Sequence, residues 1–381
     1  MHFLLNKYVS NFIRTFLHKS SFINKKILKS IIILLYIIIV SFILKSKHIH
    51  NNQLFNYNSS IDKKNEKEKF FFMKEKGQLK LCKYYGIFIY NYPLMRPRPF
   101  LGNIGDYIQS LAALQYLPKN CIPFFVDRDQ IELFNNSVSN IILIMNSWNI
   151  IKRGNRKVSD KIHPIYISYH INNINDLNII SINNLKKYEP IGCRDKYTQE
   201  NLEKKGIITY FSSCLTTTLD IDFAAKDSQR TNEIIFIDFK FGIFPKADKF
   251  IKSLKKYDFT KVTHINHLYI LKKKSHIERF KFAKQLLDKY SRAKLVISTR
   301  LHGALPCLAL NTPIIFVNKK YDIRYPGLYE LLNTIGINSK GNFEINVKLN
   351  KDNKVINPKK YIKYANILKE KLKDLSKKPI L

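Results

Sequence analysis

From Gly86 onward, short runs of β-branched and aromatic residues alternate with stretches of helical periodicity, and this alternation leaves few folds open to the chain. Residues 86–90 read as a strand and 106–117 as a helix. A strand at 122–126 precedes a helix at 128–134, a strand follows at 165–169, and a helix at 182–188 precedes a strand at 191–193. After a polar break at 224–232 the pattern restarts with strand 234–238, helix 247–257 and strand 262–265. It continues with helix 275–293, strand 295–298, helix 303–310, strand 314–317, a helix near 328–335 and a Lys-rich helix at 359–375. The expectation is an α/β protein with two Rossmann-like domains facing a crevice, one at 81–223 and one at 224–381. Ligands of such sheets lie at the carboxyl ends of strands, which makes strand ends the place to look for chemistry.

Upstream of the alternation, residues 27–44 form an apolar run interrupted only by Lys29, Ser30, Tyr36 and Ser41, long enough to span a bilayer as a helix. The first thirty residues carry Lys7, Arg14, Lys19, Lys25, Lys26 and Lys29 and no acid, which predicts a cytosolic tail at 1–26 and an uncleaved signal anchor at 27–44. A cleaved signal peptide is the rival reading, but no A-x-A-like site follows Leu44. Residues 45–80, rich in Asn, Lys, Glu and Ser, read as a stalk. The formal charge of +36 comes mostly from Lys spread through every segment, with only twelve Arg and no interleaving of Arg with aromatics, so a nucleic-acid partner is not expected. Five widely spaced Cys with no C-x-x-C exclude a zinc finger and a disulfide-dense scaffold.

Three segments can carry chemistry. Gly102-Asn103-Ile104-Gly105-Asp106 sits at the start of a helix, where Asn103 or Asp106 can cap it and backbone N–H groups can face an anion. A tight capped turn with no ligand explains the same residues. Pro190 to Asp195 places Arg194 just past a buried strand, and in a chain that uses Lys by habit a guanidinium there suggests a fork for carboxylate or phosphate. A local Arg194–Asp195 capping arrangement is the alternative. Val296 to Pro306 delivers Arg300 and His302 to the start of a small-residue helix, so guanidinium, imidazole and helix N–H groups converge, as a site for an anion undergoing proton transfer requires. His170, closing the strand at 165–169, falls on the crevice side. His264-x-x-His267 lacks a third ligand at metal spacing, and no metal is expected.

These segments, as GNIGDYIQSLAALQ (102–115), PIGCRDKYTQENLEKKGIITYFSSCLTTTL (190–219) and STRLHGALPCLALNTPIIF (298–316), resemble the polysaccharide pyruvyl transferase family over most of residues 85–335. The resemblance implies a GT-B-like fold and transfer of the enolpyruvyl unit of phosphoenolpyruvate to two hydroxyls of a glycan or polysaccharide, forming a ketal without a metal or other cofactor. Carried over by motif, it implies substrate binding by Arg194, Arg300, Leu301, His302 and Gly303, with His302 as acid/base supported by Arg300. Asn103, Asp106 and His170 are expected to line the same substrate site. Membrane-anchored relatives in the secretory pathway fit a single-pass type II protein with a lumenal, Golgi-type catalytic domain. Sequons at Asn58 and Asn135 permit that topology, although it demands a supply of phosphoenolpyruvate across the membrane. A nucleotide-sugar glycosyltransferase of the same fold is the main rival, and a glycan-binding protein that has lost activity is another.

Overall fold

The computed structural model describes residues 80–92, 101–118, 121–135, 140–149, 158–171, 177, 179–219, 229–270 and 275–375. All of them belong to one compact unit. The cytosolic tail, the anchor at 27–44 and nearly all of the stalk lie outside the described residues. Among those described, no helix is long and apolar enough to cross a membrane.

The first half contains β1 (Lys80–Ile89), β2 (Leu101–Asn103), α1 (Ile104–Leu114), β3 (Cys121–Asp127), β4 (Ile141–Ile144), β5 (Trp148–Asn149), β6 (Ile162–Ile165), β7 (His170–Ile171), α2 (Ile179–Lys186), β8 (Ile191–Cys193), α3 (Lys196–Glu203) and β9 (Thr209–Phe211). The second contains β10 (Ile234–Ile237), α4 (Pro245–Ser253), β11 (Val262–Ile265), β12 (Leu268–Ile270), α5 (His276–Arg292), β13 (Leu295–Ser298), α6 (Leu301–Ala309), β14 (Ile314–Asn318), β15 (Thr334–Ile337), β16 (Phe343–Asn346) and α7 (Tyr361–Leu372).

Each half has its own parallel sheet. In the first, the order is β3-β1-β4-β6 with every pairing parallel. In the second it is β11-β10-β13-β14-β15-β16, parallel until the antiparallel edge strand β16. Both sheets therefore grow outward in two directions from their first strand, and the strand order reverses between β1 and β4 and between β10 and β13. Such reversal points leave a crevice at the carboxyl ends of the two strands. All four residues of β10 and of β13 are buried, as expected for strands covered on both faces. The core of the second half packs Phe236, Phe239, Ile251, Leu295 and Ile315 between that sheet and α4.

The halves are joined by backbone. β2 pairs antiparallel with β12, Asn103 opposite Leu268, and Ile104 N–H donates to the His267 carbonyl at 2.9 Å. Arg279 of α5 reaches Tyr90 O at 3.0 Å and the Tyr107 hydroxyl at 3.2 Å. At the far end, α7 returns to the first half, where Tyr364 meets Phe211 edge-on at 4.8 Å.

Two expectations need correction. The strand expected at 165–169 ends at Ile165, because Ser168 takes a left-handed φ of 56° that no ladder accommodates, and His170 opens the separate strand β7. The helix expected near 328–335 is a single 3₁₀ turn, Tyr329–Leu331, followed by β15. Gly336 in that strand has φ of 152°, and a Cβ there would lie 2.1 Å from Asn318 O, so the chain runs too close to β14 for any helix.

Candidate active site

Arg194 follows β8, which lies beside the extended segment 166–169: Gly192 N–H donates to Tyr166 O at 2.9 Å and Arg194 N–H to Tyr169 O at 2.8 Å. That ladder carries His170 and Arg194 to the same sheet end. Asp195 caps α3 by accepting from Thr198 N–H at 2.9 Å, so the capping alternative describes the aspartate correctly. Its other oxygen lies 2.6 Å from His170 Nδ1, which as the N–H donor leaves the imidazole lone pair on Nε2. The capping alternative fails for the arginine. Arg194 is 2% exposed, its guanidinium donates no hydrogen bond among the described residues, and its Nε stands 3.7 Å from Asp195. Burial pulls its pKa down from the usual arginine value, with Asp195 opposing. A buried, hydrogen-bond-starved guanidinium is costly to keep unless something anionic fills its fork.

Arg300 is different. It is the residue before α6, its side chain is 39% exposed, and its Nε donates to Asp238 Oδ2 at 2.5 Å. Asp238 closes β10 and Arg300 lies just beyond β13, so the pair spans the reversal point of the second sheet. His302 is half-buried at the first turn of α6, and its buried Nε2 has no hydrogen-bond partner among the described residues. Burial, then the charges of Arg194, His267, Arg324 and His170, hold its pKa well below the ordinary histidine value. His302 is therefore neutral at neutral pH, a base rather than an acid until something raises its pKa.

The helix starts of the two halves meet at this point. A Cβ on Gly105 would lie 2.9 Å from His302 Cβ and 3.4 Å from His267 Nδ1, so glycine is what lets α1 approach α6. Asn103 caps α1 through Gly105 N–H at 3.1 Å. Asp106 turns inward, accepting from Tyr92 Oη at 2.7 Å with Arg128 3.9 Å away, and so belongs to an internal network. Gly303 is a packing residue: a Cβ would lie 2.6 Å from Ser298 Oγ, and its N–H already donates to Arg300 O. Leu301 is buried beneath the helix start.

Two participants escape sequence reasoning. Arg324, in the loop after β14, is held by a bidentate pair with Asp322, Nε to Oδ1 at 2.7 Å and Nη2 to Oδ2 at 2.8 Å. Lys196 N–H donates to Pro326 O and draws this loop against the first half. His267 is fully buried, its Nε2 lies 2.8 Å from Tyr290 Oη, and burial lowers its pKa to about 4. Among the described residues no group of three or more His, Cys, Asp or Glu is placed to hold a metal ion.

The class this defines is an α/β protein with two parallel sheets, joined through β2 and β12, and with a buried arginine and low-pKa histidines at the strand ends. The profile of the family described as "Polysaccharide pyruvyl transferase" matches residues 103–321, more than half of the chain. The chain belongs to the polysaccharide pyruvyl transferase family, and pyruvyl transfer to a polysaccharide is the general activity that membership carries. No curated protein sequence is significantly similar to it. Among solved structures, it is similar to the functional uncharacterized protein KP1_0663 from Klebsiella pneumoniae, at 15% identity and TM-score 0.39 over 68% of this chain and 94% of that one. It is also similar to the UDP-GlcNAc 2-epimerase of Methanocaldococcus jannaschii, at 11% identity and TM-score 0.33 over 72% and 97% of the respective chains.

Proposed function

We propose that the protein transfers the enolpyruvyl group of phosphoenolpyruvate to two hydroxyls of a glycan, forming a pyruvate ketal, within a GT-B-like two-domain arrangement. The observation that carries this reading is Arg194, a buried guanidinium with unspent donors beside a neutral histidine. Phosphoenolpyruvate presents a carboxylate and a phosphate on one small frame, and two or three arginines with a helix N-terminus match both. Arg194 holds one anionic group. Arg300 and Arg324, already oriented by Asp238 and Asp322, hold the other.

His302 then works first as a base. It takes the proton of a sugar hydroxyl as that oxygen adds to C2 of the enol, and a proton is delivered to C3, which becomes the methyl group. The second hydroxyl attacks C2, the C2–O bond to phosphate breaks, and the proton of that hydroxyl leaves with the phosphate. One phosphoenolpyruvate and one diol give one ketal and one inorganic phosphate, with no change of oxidation state. The bound anions also offset the charges of Arg194 and Arg324, so His302 becomes easier to protonate once the donor is seated. His170, oriented by Asp195, stands at the same sheet end as the second proton-handling group.

The topology proposed from the sequence is a type II anchor with the catalytic domain in the secretory lumen. Asn135, one of the two sequons, is exposed, which suits it. A glycosidase-sensitive mass shift of the expressed full chain tests the topology. Incubating the protein with phosphoenolpyruvate and a panel of β-galactosides, and following inorganic phosphate, tests the reaction: phosphate release dependent on the glycoside is expected, and its absence across all acceptors contradicts the proposal.

A further inference from the structure

We propose that the cavity beside the donor site, in the second half, seats the acceptor and selects one that carries a negative charge. The cavity has a volume of about 350 Å³, within the range of ligand pockets, and opens at the carboxyl ends of β10, β13 and β14. This inference rests on the pyruvyl-transfer reading of the adjoining site, because the two share a wall. Asp238 and Asp322 line the cavity, and their carboxylates are the partners of Arg300 and Arg324. A ligand filling it lies one ion pair away from the donor.

Charge bookkeeping in the lining decides the ligand class. The two carboxylates are neutralised by their arginines. Lys240, Lys319 and Lys320 also line the cavity, are exposed at its rim, and form no ion pair among the described residues. The cavity therefore carries three uncompensated positive charges. Its lining also includes the apolar and aromatic Phe239, Ile243, Phe244, Val317 and Tyr325. An apolar floor suits the C–H face of a sugar ring, and a cationic rim suits a phosphate or carboxylate on the neighbouring unit. The occupant inferred is thus an anionic saccharide, with the sugar that receives the ketal directed to the shared wall.

The test compares lactose with lactose 1-phosphate on the full-length protein, first by calorimetric titration without phosphoenolpyruvate and then in turnover. Lactose 1-phosphate should bind at least about tenfold more tightly than lactose, with an advantage that shrinks as salt rises, and phosphoenolpyruvate should not displace it. In the double variant Lys319→Gln/Lys320→Gln the advantage should disappear, while KM for phosphoenolpyruvate and kcat with lactose stay unchanged. Lys240→Gln gives an independent check of the same loss. Equal binding of the two sugars, displacement by phosphoenolpyruvate, or tighter binding of uridine diphosphate than of lactose 1-phosphate would each overturn the inference. If lactose 1-phosphate binds as expected but no acceptor supports phosphate release, the cavity assignment stands and the donor reading fails.

Discussion

Arg194 and Arg300 occupy equivalent places, each just past a parallel strand, one in each half of the molecule. Their surroundings are opposite. Arg194 is sealed in with its hydrogen bonds unspent, whereas Arg300 is partly exposed and committed to Asp238. A strand end alone does not make a receptor. What distinguishes the two is how far the fold has already used the guanidinium: Arg300 is hydrogen-bonded to Asp238, whereas Arg194 has Asp195 only at 3.7 Å and keeps its hydrogen bonds for a ligand.

The largest effect should therefore come from Arg194→Gln, which should lower kcat/KM for phosphoenolpyruvate by about a thousandfold, as expected for losing a buried charged pair. The same change should leave thermal stability unchanged or raise it, because a buried guanidinium without hydrogen bonds is removed. A fall in both would make Arg194 a structural residue and erase the contrast. Arg300→Gln should cost less in donor binding and should also reduce stability slightly through the orphaned Asp238 carboxylate. Next in size is His302→Ala, expected to lower kcat by about a hundredfold or more with donor binding retained. His302→Gln, which keeps a hydrogen-bond donor but carries no proton at neutral pH, should be equally slow, and near-normal turnover would reduce His302 to a binding group.

The pH dependence follows from the same contrast. Neutral His302 is the active form, and burial with its cationic neighbours holds its pKa well below 6.5, so the acid limb of kcat/KM should lie clearly below pH 6.5. A limb at or above 6.5 would mean that the site is wetter and less cationic than described. Stability should fall as pH drops from 6.5 toward 4, because the unfolded chain takes up protons there that His170 and His267, held at about 4, refuse. Asp127, raised to about 6 by burial, binds its proton in the folded state and opposes this, but one carboxyl works against His170, His267 and His302. The smallest change is local. Gly303→Ala should destabilise by about 1–3 kcal/mol, read as a lower Tm, since its Cβ would press on Ser298 and Ile237.

Much of this was legible in the residue pattern. The apolar run 295–297 announces a strand buried on both faces, and the polar triplet Ser298-Thr299-Arg300 after it announces the strand end beside which His302 lies. A cap at Asn103 or Asp106 was identifiable by its place before a helical period, and Asn103 is the one that caps. The misses share one cause, which is that their roles exist only in tertiary contact. Arg324 sits in an aperiodic loop, and nothing local shows that Lys196 pulls that loop toward Arg194. His267 was set aside in the sequence as one of a histidine pair without a third metal ligand, and its burial comes from the β2–β12 pairing and from the absent side chain at Gly105. That Asp238 answers Arg300 depends on β10 and β13 being neighbours in register, Ile237 beside Ser298, although they are separated by two helices in the chain.

The central claim is that the unspent guanidinium of Arg194 is the receptor for the donor and His302 the proton carrier beside it. Calorimetric titration of phosphoenolpyruvate into the wild type, Arg194→Gln and His302→Gln, with no acceptor present, tests it most directly. The account predicts binding to the wild type and to His302→Gln, and loss of binding in an Arg194→Gln protein that melts no lower than the wild type. Unaltered binding to Arg194→Gln, or loss of binding in His302→Gln alone, would contradict it.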